Sequence, residues 1–309
     1  MPMRKSPSSR RFIGPVILVL FFVLAISRMF KPVLLGDTIA IVDSKVLHIV
    51  SWNAPKSRIV LFDIPLSTVI DGVGGYGRYA IGSLYALDQI DRRGGRIFMG
   101  SLANALGLPI SGTVKYAGDA ESHGSLEFLR RVFSWKSIFF PSHRIGIDFS
   151  EWFAFVWSVQ RLHSDSITIE SVDKALIKEV LADDSSVFRI DPARYDFLYG
   201  KLFFDSAIRS EKMSVSVFNS TAIPGVGQSA SRFIANQGIT VISVGNDTKT
   251  AYTACRIFGM KKNLQSLSAL LIIKALGCEK NVLSQDPEGG VDLQLYIGSD
   301  YVAKFFVQQ

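Results

Sequence analysis

Cysteine and histidine are both scarce in this chain, with two and four among 309 residues. Two cysteines make no disulfide framework and the histidines are scattered, so nothing reads as a metal site. Cys255 falls within an expected strand and Cys278 just past the following helix. That leaves two readings open: one bridge in an exported domain, or two small buried thiols. His48 lies inside an apolar strand and reads as a satisfied sheet residue. His163, Ser164 and Asp165 are the residue types of a hydrolase triad, but adjacent residues cannot converge in that geometry. A charge excess is also missing from the folded part. The formal net charge is +7, yet residues 1–31 hold six bases and no acid, leaving 28 bases against 27 acids for the rest. A nucleic-acid binder keeps its basic surplus in the folded domain, so that class is excluded.

The surplus instead marks a membrane topology. Residues 12–27, FIGPVILVLFFVLAIS, carry no charge, and with Arg28 snorkelling the stretch 12–30 offers 19 residues. That is close to the ~20 needed to cross a bilayer. Arg4, Lys5, Arg10 and Arg11 precede it and place residues 1–11 in the cytoplasm and the bulk outside. Ala25 and Ser27 are followed by Arg28 and bulky Met29, a poor cleavage pattern, so a retained single-pass anchor at the cell membrane is expected over a cleaved signal.

The most patterned stretch is Ser214 to Thr248. Val215 and Val217 alternate with serines as in a half-buried strand. Pro224 and Gly225 punctuate a loop, and Ser229 to Gln237 reads as a helix closed by Gly238. Ile239 to Val244 is the next strand. Tyr252 to Phe258 follows as a strand, Leu264 to Leu276 as a helix ended by Gly277, and Val291 to Ile297 as a last strand. This β-α-β-β-α-β unit resembles the LytR C-terminal domain of bacterial cell-envelope proteins. The resemblance is carried by Val217, Asn219, Thr221, Gly225, Gly238, Val244, Gly245, Asn246 and the closing Gly298, Ser299, Asp300 and Tyr301. It implies a four-stranded sheet with two helices on one face over 212–309, and an envelope address without a reaction.

Upstream, Val46 to Ser51 and Arg58 to Ile64 read as a hairpin turned at Asn53, Ala54 and Pro55. A glycine-rich loop, GVGGYG at 72–77, precedes helices at Tyr79 to Ile90 and Ile97 to Leu106. The stretch from Lys45 to Tyr116 is similar to the first half of the LytR-CpsA-Psr catalytic domain. The similarity rests on Ser51 to Asn53, Ile64 with Pro65, Tyr85 with Ala86, and the LGLPI run at Leu106 to Ile110. That family moves anionic glycopolymers from a polyprenyl-pyrophosphate carrier to the wall, with arginines on the phosphates and carboxylates on magnesium. Here the family's Arg-x-Asp aligns with Asp43, Ser44 and Lys45, with both charges inverted. Its Pro-Arg-Asp becomes Pro65, Leu66, Ser67, and its Lys-Ile-Asn becomes Ala80, Ile81, Gly82. The domain over 38–210 therefore reads as degenerate and non-catalytic. Arg78, Arg92, Arg93 and Arg96 are the residues able to rebuild an anion site, although such residues more often form a solvated helix face.

Residues 119–210 are less readable. Phe133, Trp135, Phe139, Phe140, Trp152, Phe153, Phe155 and Trp157 are dense enough to be core, with a lipid- or sugar-lined groove as the rival reading. Glu170 to Leu181 reads as an amphipathic helix. Asp191 with Pro192 caps another that runs to about Phe204. Gly72, Gly74, Gly77 and Gly225, Gly227, Ala230 match dinucleotide fingerprints. The first is separated from its strand and the second belongs to the envelope domain, so no nucleotide is expected. The start of the Ser229 helix, with Gly225 and Gly227, is a candidate site for an anionic group on a wall polymer.

The expected protein is thus a transmembrane helix followed by two α/β regions outside the membrane. It binds a wall or surface polymer, or a polyprenyl-phosphate lipid, or it scaffolds an envelope assembly, with no cofactor. The alternative is a divergent glycopolymer phosphotransferase using Mg²⁺.

Overall fold

The runs TIAIV, VLHIVSWN and RIVLFDIP are apolar almost without interruption, as strands covered on both faces must be. They form β1 (Thr38–Val42), β2 (Val46–Asn53) and β3 (Arg58–Pro65), an antiparallel meander at the centre of a six-stranded sheet. In this computed structural model the described residues are 37–306 without 54–57, 119–123, 140–143, 248–249 and 288. The anchor expected at 12–30 lies outside them, and among the described residues no helix is long and apolar enough to cross a membrane.

Alternation along the meander divides two cores. Ala40, Val42, Leu47, Ile49, Val60, Phe62 and Ile64 face one layer of helices. That layer holds α1 (Ile81–Ile90) and α2 (Arg96–Leu106). Ile39, Ile41, Val50, Trp52, Ile59 and Leu61 face the other, which holds α3 (Ser125–Val132) and α4 (Phe149–Gln160). Around the meander, β6 (Gly112–Lys115) pairs in parallel with β1 and β8 (Ile167–Ser171) in parallel with β3; β7 (Arg144–Ile145) closes the β6 edge.

Several expectations are corrected here. The GVGGYG segment is a hairpin turn: β4 (Val69–Gly72) and β5 (Gly77–Ala80) pair across it, and Gly74, Gly75 and Gly77 all take positive φ. Glu170 to Leu181 is no helix. It is the end of β8, one 3-10 turn, and β9 (Leu176–Val180), which pairs with β10 (Ser186–Ile190). Ser171 accepts from the Asp173 N–H and breaks the run, and the β-branched Ile177 and Val180 suit the pleated surface that follows. Asp191 caps Ala193 and Arg194 as expected, but α5 (Pro192–Tyr199) stops well before Phe204. The aromatic segment is core only in part. Phe133, Trp152 and Phe155 are buried, whereas Trp135 is 43% exposed and Phe139 79%, and Phe140 lies outside the described residues.

After α6 (Ser206–Glu211), Lys212 turns left-handed and β11 (Ser214–Asn219) begins a second body. It comprises α7 (Val226–Ala235), β12 (Thr240–Asn246), β13 (Arg256–Met260), α8 (Leu267–Leu276), β14 (Glu279–Leu283), β15 (Leu293–Ile297) and α9 (Ser299–Phe305). The sheet has five strands rather than four, because the segment after Gly277 pairs as β14 beside β13. Val215, Val217, Leu293, Leu295 and Ile297 share a buried core with residues of both α7 and α8. Cys255 and Cys278 are joined as a disulfide beside this core. The closing Gly-Ser-Asp-Tyr has a mechanical role. A Cβ on Gly298 would meet the Thr253 carbonyl at 2.6 Å, Asp300 accepts from the Cys255 N–H, and Tyr301 is buried.

The two bodies meet through helices. On α2, a Cβ at Gly100 would strike the Lys304 carbonyl of α9, so a bare backbone is needed for the docking. Glycine to alanine in a helix interior ordinarily stabilises by about 1 kcal/mol. Gly100→Ala should instead destabilise by ~1–3 kcal/mol, as overpacked contacts do. Thermal unfolding of the wild type and the variant decides the sign.

Candidate functional site

A hollow of about 1170 Å³ lies where α7 meets α5 and is lined by Asp196, Gly225, Gln228, Ser229, Arg232 and Phe306, among others. A smaller one of about 360 Å³ shares Ser229, Arg232 and Phe306 and adds Asp71 and Arg189. The loop that shapes the larger hollow is set by residues of the C-terminal pattern. Asn219 accepts from the Thr221 N–H and hydroxyl and donates to the Ile223 carbonyl. Gly225 then takes φ 81 and opens α7 with no side-chain cap. The first N–H groups of a helix have no partner within it.

Each residue expected there has a structural duty. Ser229 is held by the Tyr301 hydroxyl at 3.0 Å and lies 3.4 Å from Asn104 Oδ1. Burial pushes the Tyr301 phenol up to about 12, so it stays a neutral hydrogen-bonding group. Gly227 lets α7 sit close on the sheet, since a Cβ would meet Val244 at 3.1 Å and Asn219 at 3.3 Å.

Arg232 is the site residue that sequence reasoning missed. Its Nε and Nη2 donate to the two Asp196 oxygens at 2.6 and 2.9 Å, while Nη1 and Nη2 donate to the Asn104 and Ala105 carbonyls at the end of α2. No motif marks it, because its partners come from distant helices. Arg189 lies 3.7 Å from Glu179, and its Nε is buried without a hydrogen bond. Each arginine of the cleft thus faces a carboxylate. The lining of the larger hollow pairs Arg232 with Asp196 and carries hydroxyl and amide groups beside apolar Phe306 and Val241.

The four candidate arginines are not brought together. Arg78 on β5 pairs with Asp71 at 3.3 Å and Glu179 at 2.8 Å, half exposed. Arg92, Arg93 and Arg96 lie beyond the far end of α1, whose ten residues span ~15 Å. Arg92 takes a left-handed φ of 52, and Arg93 neighbours the Tyr76–Asp91 hydrogen bond.

A second constellation sits at the β1–β2 turn. Asp43 Oδ1 accepts from the Lys45 and Val46 N–H groups at 2.7 and 2.6 Å, closing the β1–β2 turn. His48 lies between Asp63, at 2.6 Å from Nδ1, and Asp43 Oδ2, at 3.4 Å from Nε2. A hollow of about 270 Å³ opens beside it, walled by Leu61, Ile64 and Phe128. Burial works against the charged ring, but the hydrogen bond and charge of Asp63, then those of Asp43, outweigh it and raise the His48 pKa. Among the described residues no group of three or more His, Cys, Asp or Glu side chains could hold a metal ion.

Arg232→Lys keeps the charge but cannot reach Asp196 and two carbonyls at once. It should cost ~1–3 kcal/mol and loosen the contact between the bodies. Urea unfolding followed separately in each body would record this.

Residues 212–301 match the family described as "LytR cell envelope-related transcriptional attenuator". No curated protein matches the chain. Among solved structures the chain is similar to TagT of B. subtilis, "bound to LIIa-WTA", with 10% identity and TM-score 0.41 over 56% of this chain and 91% of that one. It is similar to B. subtilis TagV, with 10% identity and TM-score 0.37 over 52% and 93%. A third is the "LytR-CPS2A-psr family protein YwtF (TagT) with bound octaprenyl pyrophosphate lipid", with 10% identity and TM-score 0.38 over 54% and 88%. The segment 212–301 is a LytR C-terminal domain.

Proposed function

We propose that this chain is a membrane-anchored envelope protein, its bulk outside the cell, that holds a wall or surface polymer in the cleft between its two bodies without transferring it. One observation carries the non-catalytic part: His48 stands between Asp43 and Asp63. Glycopolymer transfer of the kind implied by the resemblance needs carboxylates free to hold magnesium and arginines free to hold two phosphates. Here the Asp43 oxygens are taken by a turn and by the imidazole, and the Asp63 carboxylate faces the same ring. These donors do not fit a magnesium ion, because their oxygens are already engaged by the protein's own N–H groups and imidazole. The envelope address is supported by the match over 212–301. The choice of the cleft rests on its size and lining: donors without net charge beside apolar walls suit a hydroxyl-rich chain better than a dense polyanion.

A second reading, the divergent phosphotransferase, is favoured by Arg78 meeting Asp71 with Glu179 and Arg189 nearby. Those charges are mutually matched and partly open to solvent, which leaves little attraction for a pyrophosphate.

The deciding experiment uses the full chain in lipid nanodiscs, given a polyprenyl pyrophosphate with and without Mg²⁺ and, separately, isolated wall polymer. Polymer should be retained with weak salt dependence. Gln228→Ala with Phe306→Ala should lower affinity by about tenfold, near 1.4 kcal/mol. Metal-dependent turnover of the lipid would overturn the reading.

His48 supplies an independent check. Its folded pKa is raised, so its stabilisation is fully present below the unfolded value of 6.5 and is lost as pH rises through the folded value. The stability gap between wild type and His48→Gln should therefore be wide at about pH 6 and narrow by about pH 9. A gap that is flat across this range would mean the ring is neutral between its acids.

A further inference from the structure

α4 is apolar around most of its circumference, and its most deeply buried residues lie on one side. Trp152, Phe155, Val156 and Val159 are buried beneath it. On the outer side Phe149, Phe153 and Trp157 recur every four residues and form a stripe that ends at Arg161. Phe149 is 48% exposed, and Phe153 and Trp157 are half-buried. The 3-10 turn Trp135–Ile138 widens the stripe, with the Trp135 ring 5.9 Å from both Phe153 and Trp157. Phe139 stands free at 79% exposure. The Arg161 guanidinium lies 3.9 Å over the Trp157 ring, and Lys136 is exposed beside Trp135.

We infer that this aromatic face dips into the headgroup region of the bilayer that holds the anchor. The inference rests on the reading of residues 12–30 as a membrane span. Two features select a lipid surface as the occupant. Tryptophan and phenylalanine rimmed by arginine and lysine are what the water–lipid boundary favours, with rings in the acyl margin and cations at the phosphates. Position is the other. Asp37 is bound by Lys274 Nζ at 2.6 Å, and the same ammonium lies 3.4 Å from Glu151 in the first turn of α4. Only residues 31–36 separate Asp37 from the apolar stretch, and six residues span at most ~20 Å. The start of α4 is therefore held close to the point where the chain would leave the bilayer.

The chain's own tryptophans test this. Of the four, Trp52 and Trp152 are buried at 7% and 2% exposure, while Trp135 and Trp157 lie on the face, and none occurs in 12–30. The full chain is reconstituted into phosphatidylglycerol–phosphatidylcholine vesicles with bromine on the upper acyl carbons. Emission should be quenched, and the quenching should be lost in Trp135→Phe with Trp157→Phe, a pair of mild changes whose folding is checked by circular dichroism. A carbonate wash reports the anchor separately. Chain retained but unquenched overturns the inference, as does quenching that the double variant keeps. Chain released by carbonate yet quenched at neutral pH upholds the face and rejects the anchor. Chain released and unquenched rejects both. Retention without quenching in a chain that runs as a dimer would give the face to a second copy.

Discussion

One side chain, Arg232, ties three helices of this molecule together. It leaves α7 of the C-terminal domain, spans both oxygens of Asp196 on α5, and caps two carbonyls at the end of α2. The geometry needs a planar fork; an ammonium could serve one of these partners at a time. Its surroundings are adapted to it. Gly107 turns left-handed just past α2, and a Cβ there would strike Asn236 and the guanidinium. Asn236 donates to Asp196 on the far side. A charged group at the C-terminal end of α2 also complements that helix's dipole. The large cleft is a consequence. Two bodies pinned at one edge by Arg232 and at another by α9 on Gly100 leave a space between the pins.

The elements were legible where local chemistry decides them. The β2–β3 hairpin, α1, α2, the capped start of α5 and the alternation of β11, α7, β12 and α8 all follow from periodicity and from punctuating glycines and caps. Failures fall where tertiary pairing overrides local pattern. Glu170 to Leu181 has amphipathic spacing, but it is bordered by strands that need partners, and β9 is drawn to β10. β14 is short and polar (EKNVL) and becomes a strand because the β13 edge is open beside it. The site was harder still. Gly225 and Ser229 line the cleft as turn and hydrogen-bonded support, and Gly227 is a spacer between α7 and the sheet. The arginines that line it, Arg189 and Arg232, are ordinary helix and strand residues in the sequence, and only the fold places them in one cleft.

His48 joins acids from two separate strands' ends. The β1–β2 turn carries one, Asp43, and β3 brings a second, Asp63, to the other side of the ring. Carboxylates on both sides of an imidazole favour its charged form. The His48 pKa is raised accordingly, and packing of its ring on Phe128 at 4.7 Å leaves it little freedom to withdraw. Both acids are thus engaged by the protein's own groups.

The Lys274–Asp37 pair connects these parts. It links α8 of the C-terminal domain to a residue 237 positions earlier, at the start of the described chain, and Asp37 is almost fully buried by it. A C-terminal domain attached only by its own linker could swing; one that also grips the chain next to its proposed exit from the membrane cannot, provided the Arg232 and Gly100 contacts hold at the same time. Three contacts at separate places define an orientation. The cleft would then stand at a fixed height above the lipid, with the aromatic side of α4 setting that height from below. A polymer held there would be presented at one distance from the membrane, which is a geometric task that requires rigidity and no catalytic group.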